Sequence, residues 1–294
     1  MSVVHTDAIV ERILRGVHGR PRAEAGGLTP GDLARLLRDD WRGPNAVVRL
    51  NPSLSFDDVS GSRLLFDALL LLSYVEAHGP LKATPAQNLK RSDVAFLLPL
   101  LQLHLFRYPL RDPADCAGLN ESQVHWLAPL RHSLIFAGLI ARRSGFRITS
   151  RGRELKQRER LGELYARLFF TMFRHLNLRL LDLDRHDGLQ ATVGYTLYRL
   201  REQAQDWATS ISLADDVWLP GAKDPPCEWE IEFQLDERHH ALEQQVLDPL
   251  SHFGLLERRE HWSLEEPPRL GVHEYRLTPL FERFLQIEIA PFVT

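Results

Sequence analysis

A chain of 294 residues with 44% hydrophobic and 26% charged content has an ordinary globular composition, which excludes a disordered or fibrous protein. Its net charge of −3 and pI near 6.5 exclude a protein that coats nucleic acid over its whole surface, so any such contact must be local. The two isolated cysteines, Cys116 and Cys227, exclude a disulfide scaffold and a Cys-x-x-Cys zinc site, and suggest a reducing, cytoplasmic setting.

Residues 1–60 read as an N-terminal helical appendage. Residues 1–20 lack the apolar core of a signal peptide, and the longest apolar runs, such as 68–72, are too short to span a bilayer, so no membrane partner is expected. Thr29-Pro30 is a helix start, with Thr as N-cap and Pro at the first helical position, leading into Leu33, Leu36 and Leu37. A strand-bearing loop over 45–54 and a turn-rich stretch over 57–62 follow.

The first unit is placed at 61–183. Leu64, Leu65, Ala68, Leu69, Leu72 and Val75 predict a helix over Arg63–His78, stopped by Gly79-Pro80. An extended piece at 81–83 leads to Thr84-Pro85 and a helix through 93–103. Pro109, Pro113 and Gly118 make 107–119 a loop, and Asn120 caps a helix to residue 136. Short strands at 139–142 and 146–149 flank a Ser144-Gly145 turn, and Thr149 caps a long helix carrying Leu155, Leu161, Leu164, Leu168, Met172 and Leu176. Helix, strand, helix, helix, strand, turn, strand is the order of a winged helix.

The second unit is placed at 184–294. Leu189, Val193, Leu197, Leu200, Ala204 and Trp207 mark one buried helical face, and 211–217 is a short helix. Trp229, Ile231 and Phe233 alternate with Glu228, Glu230 and Glu232 as a strand with one wet face. A helix over 236–253 and two strands close the unit. The expected fold class is therefore mainly α with short β wings: tandem winged-helix-like units joined by long helices.

An internal match supports the pairing of units. Leu127-x-Pro129-Leu130-x-His132, followed by Phe136-x-Gly138-Leu139-x-x-Arg142-Arg143, parallels Leu247-x-Pro249-Leu250-x-His252, followed by Phe253-Gly254-Leu255-x-x-Arg258-Arg259. The spacing between His and Gly differs by four residues, about one helical turn. Arg147-Ile148-Thr149 then matches Arg276-Leu277-Thr278.

The stretch Gly79-Pro80-Leu81-Lys82-Ala83-Thr84-Pro85-Ala86-Gln87-Asn88-Leu89 resembles a motif of uncharacterised bacterial proteins of the plasmid pRiA4b ORF-3-like group. Gln87 stands where that motif has glycine, and Ala83 where it has an apolar strand residue. The resemblance covers about residues 62–155. It implies a winged helix and brings no established activity.

Between residues 142 and 160, eight basic residues face two acids, a local balance of +6 in a chain of −3. Such a concentration suits phosphate contact, because Lys and Arg supply it. The candidate nucleic-acid-binding residues are Arg142, Arg143, Arg147, Arg151 and Arg153 on and after the wing, with Ser122, Gln123, His125 and Arg131 facing a groove from the preceding helix. The rival reading of the same run is a solvated, salt-bridged helix start. The second unit carries Asp236, Glu237, Glu243 and Asp248, so it is expected to pack against protein, as a homodimerisation element.

Neither Asp182, Asp184, His186 and Asp187 nor the Glu228, Glu230, Glu232 strand has the spacing of a metal or nuclease site. His239-His240 diverge on a helix, and no nucleotide-loop or nucleophile-elbow motif occurs, so no catalytic residue, metal or cofactor is expected. The leading expectation is a non-catalytic regulator binding double-stranded DNA. The rival is a protein-interaction scaffold of the same fold.

Overall fold

The structure is a computed structural model that describes residues 20–43, 45–103, 118–143, 145–181, 188–219, 238–260 and 273–289. The chain is mainly helical with small antiparallel sheets. The Asp182–Asp187 cluster, the Glu228, Glu230, Glu232 strand, Ser144, Asp236 and Glu237 lie outside the described residues.

Helix α1 (Pro30–Arg38) begins where its sequence signal lies, with the Thr29 side chain accepting from the Asp32 amide at 3.1 Å. Strand β1 (Val48–Leu50) follows, and helix α2 (Phe56–Val59) occupies what reads as turns. The reason is a capping box: Ser55 and Asp58 each accept the other's backbone N–H.

The stretch expected to be an appendage is part of the core. Strand β1 pairs antiparallel with β7 (Leu285–Ile287), 235 residues away, with Val48 opposite Ile287. Val48 is fully buried, and Trp41 stacks on Phe169 at 6.1 Å. One hydrophobic cluster runs from Ala25 to Ile289.

Helix α3 (Arg63–His78) matches its expected bounds. The helix expected over 93–103 is instead α4 (Arg91–Leu97) and a 3-10 turn, Leu98–Leu100. The helix expected from Asn120 is split into a 3-10 turn, Glu121–Gln123, and α5 (Leu127–Phe136). Val124 and Trp126 are both buried, at 6% exposure. Two positions apart on a helix would point about 200° apart, so an extended Val124 brings both side chains inward. Pro129 falls in the first turn of α5, where its missing N–H interrupts no bond.

Strands β2 (Ile140–Ala141) and β3 (Arg147–Ile148) pair antiparallel, and Leu81 bridges Phe146 through two backbone bonds of 3.0 and 2.8 Å. Thr149 caps α6 (Ser150–Leu155), but the expected long helix is interrupted before α7 (Leu161–Arg174). Gln157 has an extended backbone and residues Arg158–Arg160 form a 3-10 turn.

In the second half, α8 (Gly188–Gln203) buries Leu189, Val193, Leu197 and Leu200 completely. Strand β4 (Ala208–Thr209), α9 (Ser210–Val217) and α10 (Arg238–Leu242) follow. A π turn over Glu243–Leu247 joins α10 to α11 (Asp248–Phe253), just ahead of Pro249, whose missing N–H interrupts the regular ladder. Strands β5 (Leu256–Glu260) and β6 (His273–Leu277) and helix α12 (Pro279–Phe284) close the chain. The sheet order is β4-β6-β5, with the strand before the helices pairing to the last strand, as Leu81 does to Phe146.

The repeat has a structural counterpart whose register is set by its glycines. Gly138 (φ 71°) and Gly254 (φ 81°) end α5 and α11 in the left-handed region. The Leu139 amide reaches Leu134 O and the Leu255 amide reaches Leu250 O, each at 2.9 Å, closing the same helix-stop motif. The Thr149 hydroxyl donates to Gly138 O and the Thr278 hydroxyl to Gly254 O, each at 2.8 Å. Counted from the glycines, Leu250 corresponds to Leu134 rather than Leu130. The Leu-x-Pro-Leu-x-His portion of the match is thus displaced by about one helical turn.

Candidate nucleic-acid interface

On the hairpin of β2 and β3, Ile140, Phe146 and Ile148 point into the core. Arg147 alternates outward between Phe146 and Ile148, and Arg142 and Arg143 are exposed beyond the end of β2 at Ala141. Arg151, in the first turn of α6, is also exposed. None of Arg142, Arg143, Arg147 and Arg151 has an ion pair among the described residues.

The rest of the basic run is engaged. Arg153 donates to Glu76 at 3.1 Å and Lys156 pairs with the same carboxylate. The Lys156 hydrogen bond, with the two positive charges, holds Glu76 below the ordinary carboxylate range. Arg160 pairs with Glu154 and with Glu163, and Arg158 lies over Phe56 at 4.2 Å and 3.8 Å from Asp57. Arg153 is therefore half of a helix-to-helix ion pair, while the other four wing candidates point to solvent.

The groove-facing set from the preceding helix is corrected. Ser122 and Gln123 are exposed but sit on the 3-10 turn, where Gln123 accepts from the Asn120 amide at 2.8 Å. His125 is half-buried, edge-on to Trp126 at 5.9 Å, before α5 begins. Arg131 is on α5 but only 1% exposed. Its Nε donates to Glu121 Oε1 at 2.6 Å and its guanidinium lies 5.0 Å above the Phe146 ring. Six of the ten residues of α5 are buried, because α3 and α7 pack on it. This helix has no polar face to lay in a groove.

The arginines matched by the repeat behave differently in the second half. Arg258 donates to Asp248 at 3.0 Å and to His273 Nε2 at 2.6 Å. Arg259 donates to Glu274 at 2.5 Å, Arg276 donates to Glu257 at 2.6 Å, and both guanidinium groups cover Trp207, at 4.2 and 4.8 Å. Trp207, expected on the buried face of α8, lies beyond its end and is half-buried between these cations. At corresponding positions, Arg258, Arg259 and Arg276 are neutralised within the chain, whereas Arg142, Arg143 and Arg147 have no ion pair among the described residues.

Glu243 and Asp248 of the second unit are turned inward. His273 Nδ1 donates to Glu243 Oε1 at 3.1 Å, and Tyr275 donates to Asp248 at 3.1 Å. Burial opposes the Glu243 charge, but His240, 3.9 Å away, and the His273 hydrogen bond overcome it and hold the carboxyl at about 2. Glu243 and Asp248 are thus structural acids, and their charge gives no argument for a dimer surface.

Three arginines and a histidine that the sequence did not single out lie near one another. Arg42 lies over Phe170 at 4.1 Å, His175 meets the same ring edge-on at 5.0 Å, and Arg174 lies over Trp41 at 5.3 Å. Arg167 donates from Nε to Ala137 O at 2.5 Å, at the end of α5. Partial burial, then the charges of Arg151 and Arg42, push the Arg167 guanidinium down; burial and then Arg42, Arg174 and Arg167 do the same to His175. The spacing of Arg167 and Arg174 on one helix was readable; their proximity to Arg42 was not.

No helix among the described residues is long and apolar enough to cross a membrane. Comparison with known protein families, with curated proteins and with solved structures finds no match for the chain.

Proposed function

We propose that this is a non-catalytic, cytoplasmic DNA-binding protein of regulatory type, built from two winged-helix-like units, which contacts duplex phosphates through the first wing. The observation that carries the reading is the contrast between Arg142, Arg143 and Arg147, which have no ion pair among the described residues, and their repeat counterparts Arg258, Arg259 and Arg276, which are all engaged. Exposed arginines with no ion pair among the described residues, in a chain of net charge −3, suit phosphate contact better than a role in folding. The repeated sheet order, and the left-handed Gln87 (φ 61°) where the resembled motif has glycine, favour the winged-helix reading. The burial of α5 favours backbone contact over base readout by that helix.

A second reading, a protein-interaction scaffold, is favoured by one feature. Phe136 at the end of α5 is 55% exposed, close in sequence to the wing.

Binding of a labelled random-sequence duplex at low salt tests the proposal. Arg142→Ala/Arg143→Ala/Arg147→Ala is expected to weaken it on the order of tenfold, whereas Arg153→Ala/Lys156→Ala, which removes paired cations, leaves it nearly unchanged. Equal loss in both variants, or no binding by the wild type, would reject the wing as the contact.

A further inference from the structure

We infer that Arg42, Arg167, Arg174 and His175 form a second anion-binding surface, which continues the first wing's footprint and takes the same duplex backbone. The inference rests on the proposed DNA-binding reading and extends it to residues outside the wing.

The geometry links the two surfaces. Arg167 is anchored to Ala137 O, immediately before Gly138 and the wing strand β2. Arg151, the last wing cation without an ion pair, is close enough for its charge to be felt at Arg167. From there, Phe170 holds Arg42 on its face and His175 at its edge, and Trp41 holds Arg174. Aromatic rings thus fix two flexible cations in place, so that less conformational entropy is lost when an anion arrives.

The carboxylates nearest in the chain, Asp39, Asp40 and Glu163, bond to groups other than the Arg42 and Arg174 guanidinium groups. Glu163, one turn before Arg167, is bound by Arg160, and Asp40 accepts the Arg42 backbone N–H at 2.9 Å. Like charges gathered at a folding cost, with no carboxylate among the described residues bonded to the Arg42 or Arg174 guanidinium, match a surface that meets its counter-charge outside the chain. Arg174 lies seven positions after Arg167, about 10 Å along the helix, a length over which duplex DNA carries about six phosphate charges.

The test is the salt dependence of duplex binding by Arg42→Gln/Arg174→Gln, by the wing variant Arg142→Ala/Arg143→Ala/Arg147→Ala, and by Arg42→Lys/Arg174→Lys, each checked for a native thermal transition. The Gln pair is expected to flatten the slope of log affinity against log salt by about 1.8, from two lost phosphate contacts. The Lys pair is expected to restore it, which separates charge from loss of the ring contacts. A Gln pair that binds as the wild type does, while the wing variant loses affinity, overturns this inference and leaves the wing reading intact. A Gln-pair effect without a wing effect does the reverse. Absence of duplex binding by the wild type, or wild-type binding to anionic lipid vesicles alone, overturns both.

Discussion

Arg131 and Glu121 form an ion pair in which both side chains are at most 1% exposed, 2.6 Å apart. The second Glu121 oxygen accepts the Leu89 amide at 2.5 Å, and Arg131 Nη2 reaches Asn88 Oδ1 at 3.4 Å. The pair therefore ties α5 to the Gln87-Asn88-Leu89 turn, and it explains why an arginine whose sequence position suggests a groove contact serves the fold instead.

Breaking this pair leaves a buried charge without its partner. Arg131→Met or Glu121→Gln is expected to destabilise the protein by about 3–5 kcal/mol, and the double variant by less than the sum. Urea unfolding of the three variants measures this. Additive losses would show that the two side chains act independently.

The repeated helix stop gives a matched pair of substitutions. A Cβ at Gly138 or Gly254 meets nothing closer than 3.7 Å, so replacement by alanine costs only the left-handed backbone. Each variant is expected to lose about 1–2 kcal/mol. A loss at one site and none at the other would dissolve the structural equivalence of the two turns.

Asp67 supplies a pH signature. Burial pushes its carboxyl up to about 6, although the Gln102 and Leu103 amides donate to it at 2.8 and 2.9 Å and oppose the shift. A carboxyl raised on folding favours the folded state while protonated. Its contribution is full below the unfolded value near 4 and is lost as pH rises to about 6, on the order of 2–3 kcal/mol. The wild type should show this fall in stability across about pH 4 to 6, and Asp67→Asn should lack it. Identical pH profiles would contradict the assignment.

Local signals were readable and distant ones were not. The apolar spacing of Arg63–His78, its stop at Gly79 and the Thr29 and Thr149 caps all depend on neighbours within a few residues, and each appears at its expected place. The interruption between α6 and α7 was missed because the apolar residues keep a helical spacing across it; the extended Gln157 leaves no mark in that pattern. The pairing of Val48 with Ile287 has no sequence signature, since short strands pair wherever the fold brings them. On the candidate interface, strand alternation accounts for the exposure of Arg147 between buried Phe146 and Ile148, whereas Arg142 and Arg143 are exposed because β2 ends at Ala141. Pairing decides which cations remain available, and Glu76, Glu121 and Glu163 acquire their partners only through tertiary contact or a turn the sequence did not reveal.

Phosphate contact by Arg142, Arg143 and Arg147 is the proposed basis of binding. The most direct measurement is duplex affinity of the wild type and of Arg142→Ala/Arg143→Ala/Arg147→Ala across about 50 to 200 mM salt. If the three arginines each neutralise one phosphate, the variant's slope of log affinity against log salt is shallower by about 2.7. An unchanged slope, whatever the affinity, would mean that these arginines touch no phosphate and would contradict the account.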